Sequence, residues 1–142
     1  MGGKDNPHEG VRLLDHTADV GIEVTAPDLA SLACRAALGM DWLLREAPAP
    51  IQIEERPFRV TGEDPAMLVR ALLRELLHWH ERDGFAPVWV RVEEASDAEL
   101  RGTVPGGFPG GTPVREIKGV TLHGLRAECR GDGWWGRIIF DV

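Results

Sequence analysis

Residues 20–44 read VGIEVTAPDLASLACRAALGMDWLL, and this stretch places a strand directly before a helix. Residues 20–24 alternate apolar and polar side chains, which is the period of a strand with one buried face. Asp28 then stands where a helix N-cap is expected, and apolar residues recur at helical spacing from Leu29 to Leu44. The stretch therefore predicts a half-buried strand followed by an amphipathic helix that ends before Pro48.

The same order of elements recurs further along the chain. Residues 51–60 give strand signals, and an apolar stripe over 68–77 predicts a second helix with Thr61 or Asp64 as N-cap and Gly84 as C-cap. Strand pairs at 87–104 and 116–142 predict two hairpins, which turn near 95–97 and 131–133. We therefore predict a single α+β domain with about six mostly antiparallel strands and two amphipathic helices. Each helix is preceded by a strand and followed by two strand signals, which suggests a duplicated strand-helix-strand-strand unit, although no sequence identity supports it.

Domain boundaries follow from polar and Gly/Pro-rich segments. Residues 1–10 are expected to form a flexible N-terminal leader, and residues 11–142 to form the domain. Residues 102–113, GTVPGGFPGGTP, hold five glycines and three prolines and are predicted to form a flexible loop. This segment lacks the Gly-Lys-Ser/Thr ending of a phosphate-binding loop, and no helix signal follows it, so an anion cradle is not expected.

Composition excludes several classes of protein. The chain has 142 residues and a formal charge of -7, and no apolar run approaches the roughly 20 residues of a membrane helix. The first ten residues contain no signal peptide, so we expect a cytoplasmic protein with no membrane partner. Cys34 and Cys129 lack the spacing of a disulfide framework or a zinc motif, and both are expected to be small, reduced residues in or near the core.

The charge distribution argues against a broad RNA-binding face. Residues 1–100 carry 10 basic and 19 acidic side chains, whereas residues 101–142 carry 6 and 4. Phosphate contacts need Lys and Arg, so RNA is expected to be reached only indirectly, and a cation or a basic protein surface is the better partner. Trp134 and Trp135 are adjacent strand residues, which predicts one in the core and the other partly exposed.

Two segments carry potential ligands. Asp15, His16, Thr17 and Asp19 crowd oxygen and nitrogen donors into five residues at a strand entry, although Asp15 and Thr17 could simply satisfy turn amides. The sequence ends on an apolar strand, which places the Asp141 carboxylate beside the α-carboxylate of Val142. If the last strand pairs near the first, Asp19 would complete an all-oxygen site, the ligand set that calcium prefers.

These segments, with a third, resemble the motifs of a known family. Residues 15–21, DHTADVG, look like the DHTADxG signature of the archease family. Residues 116–123, EIKGVTLH, are similar to its EVKAVTYH strand, with Gly119 in place of Ala and Leu122 in place of an aromatic residue. The ending IFDV, residues 139–142, is similar to the C-terminal VFD[VIL] of the family. The resemblance runs from about residue 10 to residue 142, including the length and the order of the two helices.

The resemblance implies a function and a ligand set. Archeases are non-enzymatic activators of the RtcB-type RNA ligase in tRNA splicing and RNA repair, and they promote guanylylation of a ligase histidine and multiple turnover. The metal ligands of the family correspond to Asp19, Asp141 and Val142, with calcium as the structural ion. We expect Asp15, His16 and Lys118 to contact the ligase.

Two other functions remain open from the sequence. A chaperone-like or modulator module that acts on other nucleic-acid-processing proteins would use an exposed apolar patch instead of the acidic site. A metal-dependent hydrolase would need a general base, and the sequence offers none apart from the metal ligands themselves. No catalytic residue is therefore assigned.

Overall fold

A computed structural model describes residues 8–15 and 20–142, except for the side chain of Asp15. In this part of the chain two helices and nine strands occur. In chain order they are β1 Val11–Asp15, β2 Val20–Ala26, α1 Leu29–Arg45, β3 Glu54–Thr61, α2 Pro65–Asp83, β4 Ala86–Pro87, β5 Arg91–Ala95, β6 Glu99–Gly107, β7 Gly119–Val120, β8 Arg126–Arg130 and β9 Gly133–Asp141.

The strands form two antiparallel sheets. In the first sheet the order is β1-β2-β9-β7, with β8 also paired to β9, and in the second it is β3-β6-β4, with β5 also paired to β6. The two helices pack against each other, and each contacts strands of both sheets. One face of each sheet therefore turns towards the helices. The predicted α+β class is confirmed, with nine strands instead of about six.

Both helices begin and end where the sequence predicts. The side chains of Asp28 and Asp64 accept hydrogen bonds from backbone amides three residues ahead, at 2.7 and 2.9 Å. Such caps satisfy amides that have no partner within the helix, which favours these starting points. Gly84 ends α2 with a φ of 78°, in the left-handed region that glycine adopts without strain.

Apolar side chains from both helices and both sheets form one core. Leu32 and Ala36 of α1 and Leu72 of α2 have no exposed surface, and neither do Phe140 of β9 and Leu100 of β6. Burying a leucine or phenylalanine side chain stabilises the fold by roughly 1.5–3 kcal/mol. Asp41 is the one buried charged residue in the described part of the chain, and Arg45 binds both of its carboxylate oxygens, at 2.7 and 3.0 Å.

The strand-helix-strand-strand order recurs in the fold, but the contiguous unit suggested for the first helix was wrong, because only β3 lies between α1 and α2. The second unit is β3-α2-β5-β6, and its strands all lie in the second sheet, with β3 and β5 on either side of β6. In the first unit, β2 and α1 are completed by the hairpin β8-β9 at the other end of the chain, again with β9 between its two neighbours. The strands after α1 therefore belong to the other unit. Sequence order alone could not show this, because the pairing of β2 with β9 spans the inserted unit.

Two strand predictions were wrong in their extent. The predicted strand over 116–128 is divided into β7 and β8, because residues 121–125 form a turn in which Gly124 has a φ of 65°. The predicted strand over 87–92 is also divided, because Val88 and Trp89 both donate their amides to the carbonyl oxygen of Pro105. By contrast, Pro57 does not interrupt β3, since this strand lies at the edge of its sheet, where a missing amide is tolerated.

The predicted flexible loop over 102–113 was wrong in its first half. Residues 102–107 form the end of β6, the central strand of the second sheet. Glycine is required there because a Cβ atom at Gly102 would meet the carbonyl oxygen of Arg91, and one at Gly107 would meet that of Ile51. The irregular segment begins at Phe108, and its Gly110 and Gly111 have φ values of 70° and 79°.

Candidate metal and partner site

Three distant segments of the sequence meet at one end of the first sheet. Asp15 pairs with Val20, Val20 pairs with Phe140, and Phe140 pairs with Val120, so these four residues form one row across β1, β2, β9 and β7. We call this end of the sheet the motif edge. Each member of the row belongs to or adjoins one of the three motifs, and backbone pairing therefore brings all three together.

Asp141 and Val142 lie at the motif edge, immediately beyond the row. Phe140 is fully buried, and since successive side chains of a strand point to opposite faces, Asp141 faces away from the helices. Both Asp141 and Val142 are exposed. Asp141 pairs with Gly119, and among the residues that the structure describes no heavy atom lies within 4 Å of the position that a Cβ atom on Gly119 would take. Within residues 8–15 and 20–142, space for an ion or a partner is therefore left beside Gly119.

Lys118 also lies at the motif edge, in a short segment that hydrogen bonds and buried neighbours hold in place. Its amide donates a 2.6 Å hydrogen bond to the carbonyl oxygen of Asp141, and its side chain is exposed. Ile117 and Val120 on either side are buried, and Arg70 of α2 donates from Nε to the carbonyl oxygen of Val120 at 2.8 Å. The segment is thus fixed by its neighbours, and the lysine side chain remains available to a partner.

The structure describes the other predicted site residues only in part or not at all. Asp15 ends β1, and its backbone pairs with Val20, but its side chain lies outside the described residues. His16 and Asp19 also lie outside the described residues. Within residues 8–15 and 20–142, no group of three or more His, Cys, Asp or Glu side chains could hold a metal ion. The ligand set of Asp19, Asp141 and Val142 stays a prediction.

The donors that are described fit a hard cation. The carboxylate of Asp141 is an anionic oxygen ligand on an exposed strand end, and the described residues leave room for an ion beside Gly119. Neither Cys34 nor Cys129 belongs to the motif edge, so thiolate chemistry has no role there. Oxygen donors of this kind suit a hard cation such as calcium, and the identity of the ion stays a prediction.

Sequence reasoning missed the arginines that anchor the segments before the motif edge. Arg115 donates from Nη1 to the carbonyl oxygen of Leu43 at 2.7 Å, and the amide of Val114 donates to that of Leu44 at 2.9 Å. These bonds hold residues 114 and 115 to the C-terminal turn of α1, whose carbonyl groups lack partners within the helix. Arg70 has a similar anchoring role on α2. No local pattern indicates which carbonyl oxygen an arginine will reach.

The family comparison agrees with the motifs. The model of the Archease protein family (MTH1598/TM1083) matches residues 12–142. The chain belongs to the archease family. An archease from Archaeoglobus fulgidus is 32% identical over 135 residues, which cover 92% of this chain and 98% of the relative. An archease from Methanothermobacter thermautotrophicus is 32% identical over 139 residues, which cover 94% and 99%.

Solved archease structures share the fold. The solution structure of Methanobacterium thermoautotrophicum protein 1598 is similar with a TM-score of 0.75 and 28% identity, and the similarity covers 95% of this chain and all of that one. A crystal structure of a Thermotoga maritima archease, described as a possible chaperone, has a TM-score of 0.62 at 20% identity over 91% of this chain and 94% of that one. In the described part of this archease, no helix is long and apolar enough to cross a membrane.

Proposed function

We propose that this archease is a non-enzymatic activator of an RtcB-type RNA ligase, and that it promotes guanylylation of the ligase and multiple turnover. The observation that supports the proposal is the motif edge. Three sequence motifs that resemble those of the family are brought to one end of a single sheet by the pairing of Asp15, Val20, Phe140 and Val120. Such a convergence is expected of a shared binding site, since packing alone does not require exposed polar residues there.

Calcium is the proposed ion of the motif edge, held by Asp19, Asp141 and the α-carboxylate of Val142. Three carboxylates that lie close together repel one another, and a bound cation allows all three to stay ionised. All of these donors are hard oxygens, which calcium accepts in flexible coordination.

The residues around the ion would contact the ligase. We propose Lys118, Asp15 and His16 for this role, because Lys118 is exposed beside Asp141 and the other two belong to the first motif. Phosphoryl transfer depends on positioned groups and in-line geometry, so a docked protein can accelerate it by ordering the ligase active site without providing a nucleophile. By docking through the motif edge, this archease would orient the groups of the ligase active site.

The test is a guanylylation assay with a purified RtcB-type ligase, radiolabelled GTP and this archease as the variable. We expect the wild-type chain to increase the rate of ligase labelling. Lys118→Ala should reduce this increase while leaving calcium affinity unchanged, because only the backbone amide of Lys118 bonds Asp141. Arg101→Gln is a matched control, since Arg101 is an exposed cation on the second sheet, where it pairs with Glu94.

Two results would contradict the proposal. One is an unchanged rate of ligase labelling across several nucleotides and divalent metals. The other is equal stimulation by the wild-type chain and by a double variant, Lys118→Ala with Asp141→Asn, that is folded by circular dichroism.

A second candidate function is a chaperone-like binding module. The structural observation in its favour is a group of exposed apolar side chains near the end of β6. Ile51 and Ile53 are 83% and 66% exposed, and Phe108, which follows β6, is 42% exposed. Suppression of aggregation of an unrelated client that is lost in Ile51→Ser/Ile53→Ser and retained in Asp141→Asn would support this function over the ligase activator.

A further inference from the structure

The outer face of the first sheet, on the side away from the helices, carries a compact group of arginines. Arg126, Arg137, Glu23 and Arg12 are paired in one row across β8, β9, β2 and β1. Trp135 pairs with Glu128 in the next row, beside Arg130. Ile22, Val24 and Ile138, which alternate with members of these rows, are buried towards the helices, so the rows face outwards. We call the seven residues Arg12, Glu23, Arg126, Glu128, Arg130, Trp135 and Arg137 the outer face.

Two of its four arginines are neutralised within the face. Arg12 lies 3.2 Å from a carboxylate oxygen of Glu23, and Arg130 lies 2.8 Å from one of Glu128. Neither Arg126 nor Arg137 has a carboxylate oxygen within 4.0 Å among the residues that the structure describes. These seven residues therefore carry a net charge of +2 in a chain whose total is -7, and Asp141 lies on the same side of β9, four residues after Arg137.

Arg126 and Arg137 lie directly opposite each other on β8 and β9. Like charges at opposed positions of an antiparallel pair destabilise the sheet. Arg137 donates from Nε to the carbonyl oxygen of Gly124 at 3.1 Å, which orients its guanidinium but does not neutralise it. Glu23 lies opposite Arg137 on β2, but its carboxylate pairs with Arg12. An anion between the two guanidinium groups would relieve the repulsion between Arg126 and Arg137.

Trp135 supplies an aromatic surface next to this arginine pair. The guanidinium carbon of Arg130 lies 3.7 Å from the centre of the Trp135 ring, and this tryptophan is partly exposed, as predicted for one of the two. The other was predicted to lie in the core, but Trp134 is only partly buried and packs against the core near the start of β9. Trp135 and Arg137 are two residues apart on β9, which is about 6.8 Å along an antiparallel strand. A charged pair and a stacking surface at this spacing suit a phosphate and the base attached to it.

We propose that the outer face binds single-stranded RNA, with a phosphate between Arg126 and Arg137 and a base that stacks on Trp135 in place of the Arg130 guanidinium. A single strand fits because its bases are free to stack on an aromatic side chain, whereas the bases of a duplex are already stacked on each other. The choice of RNA rests on the proposed function, in which the partner joins RNA ends. The inference revises the sequence-based expectation that RNA is reached only through the ligase. In the folded protein, arginines from both ends of an acidic chain lie together on the outer face.

The experiment is fluorescence anisotropy of a labelled oligouridylate of about twelve nucleotides, titrated with the full chain at about 50 mM salt without ligase or added metal. We expect Arg126→Gln to weaken binding about tenfold and to lower the slope of log affinity against log salt by about 1. Trp135→Leu should weaken binding at least about fivefold with little change in that slope. Arg126→Lys should keep the wild-type slope, and Arg101→Gln on the second sheet should behave as the wild type.

Several outcomes would overturn the inference. They are an absence of binding at about 50 mM salt, equal affinities of Arg126→Gln and Arg101→Gln, and binding of a duplex RNA that is as tight as binding of the single strand. Arg126 is exposed on an edge strand, so thermal unfolding should show all variants folded. Because guanylylation is measured without RNA, Arg126→Gln should still stimulate the ligase. Failure of the RNA-binding proposal can therefore be distinguished from failure of the proposed ligase activation.

Discussion

The backbone amide of Lys118 donates a 2.6 Å hydrogen bond to the carbonyl oxygen of Asp141. This bond joins the segment before β7 to the end of β9 and uses only main-chain atoms. The side chains of both residues are exposed and remain available for other ligands. A lysine and a carboxylate with separate proposed roles are thus held side by side by a contact that substitution of either side chain leaves in place.

Asp141→Asn is expected to lower calcium affinity about tenfold, because an anionic oxygen ligand is replaced by a neutral one. The fold should be unaffected, since the side chain of Asp141 is exposed and its strand pairing involves the backbone. Isothermal titration calorimetry and thermal unfolding measure the two effects. Asp132→Asn, in the exposed turn between β8 and β9, is the matched control. Equal calcium affinities of the two variants would remove Asp141 from the ligand set.

A short extension after Val142 tests the α-carboxylate as a ligand separately. The added peptide bond converts this carboxylate into a neutral carbonyl and moves the terminal charge away from Asp141. We expect a loss of calcium affinity similar to that of Asp141→Asn, with an unchanged unfolding temperature. Unchanged affinity in the extended chain would leave Asp19 and Asp141 as the proposed protein ligands and exclude Val142.

Gly102→Ala is expected to destabilise the protein by about 2 kcal/mol, because the new methyl group would overlap the carbonyl oxygen of Arg91 on the neighbouring strand. Gly119→Ala is the matched control, since none of the described residues has a heavy atom within 4 Å of a Cβ atom there. The control should change the free energy of unfolding by less than about 0.5 kcal/mol. Urea unfolding followed by circular dichroism measures both. A neutral Gly102→Ala would show that β5 and β6 separate easily.

The sequence predicted what depends on neighbouring residues. The helix caps Asp28 and Asp64 and the C-cap Gly84 satisfy backbone groups within a few positions, so local patterns identify them. The placement of Gly102 could not be predicted, because its requirement for glycine comes from Arg91 on another strand. Likewise, Asp141 was recognised as a donor from its position at the chain end, but its pairing with Gly119 depends on the fold. Motif similarity supplied the long-range information that local patterns lack.

Asp83→Asn is expected to show a pH-dependent loss of stability. Arg56 donates to Asp83 at 2.6 Å, and this hydrogen bond lowers the pKa of the Asp83 carboxyl below its usual 3.8. A lowered pKa in the folded state contributes stability that is present above the unfolded pKa and lost as the pH falls through the folded pKa. The wild type should therefore unfold at a higher temperature than Asp83→Asn at pH 5–7, and the difference should shrink as the pH falls below 3.8 and through the lowered pKa of Asp83. A difference that is constant across this range would mean that the charge of Asp83 is not the cause.

The two cysteines should differ sharply in reactivity. Cys34 is buried in α1, and its burial raises the pKa of the thiol to about 11, so little reactive thiolate forms at pH 8. Cys129 is exposed on β8, which corrects the expectation that both cysteines lie in or near the core. A thiol-specific chromogenic reagent should therefore label one cysteine in the native protein and both in guanidinium chloride. Cys129→Ser should abolish native labelling, whereas Cys34→Ser should preserve it. Rapid labelling of native Cys129→Ser would show that α1 separates from the second sheet on the timescale of the reaction, because Cys34 lies beside Val90 and Val92 in that contact.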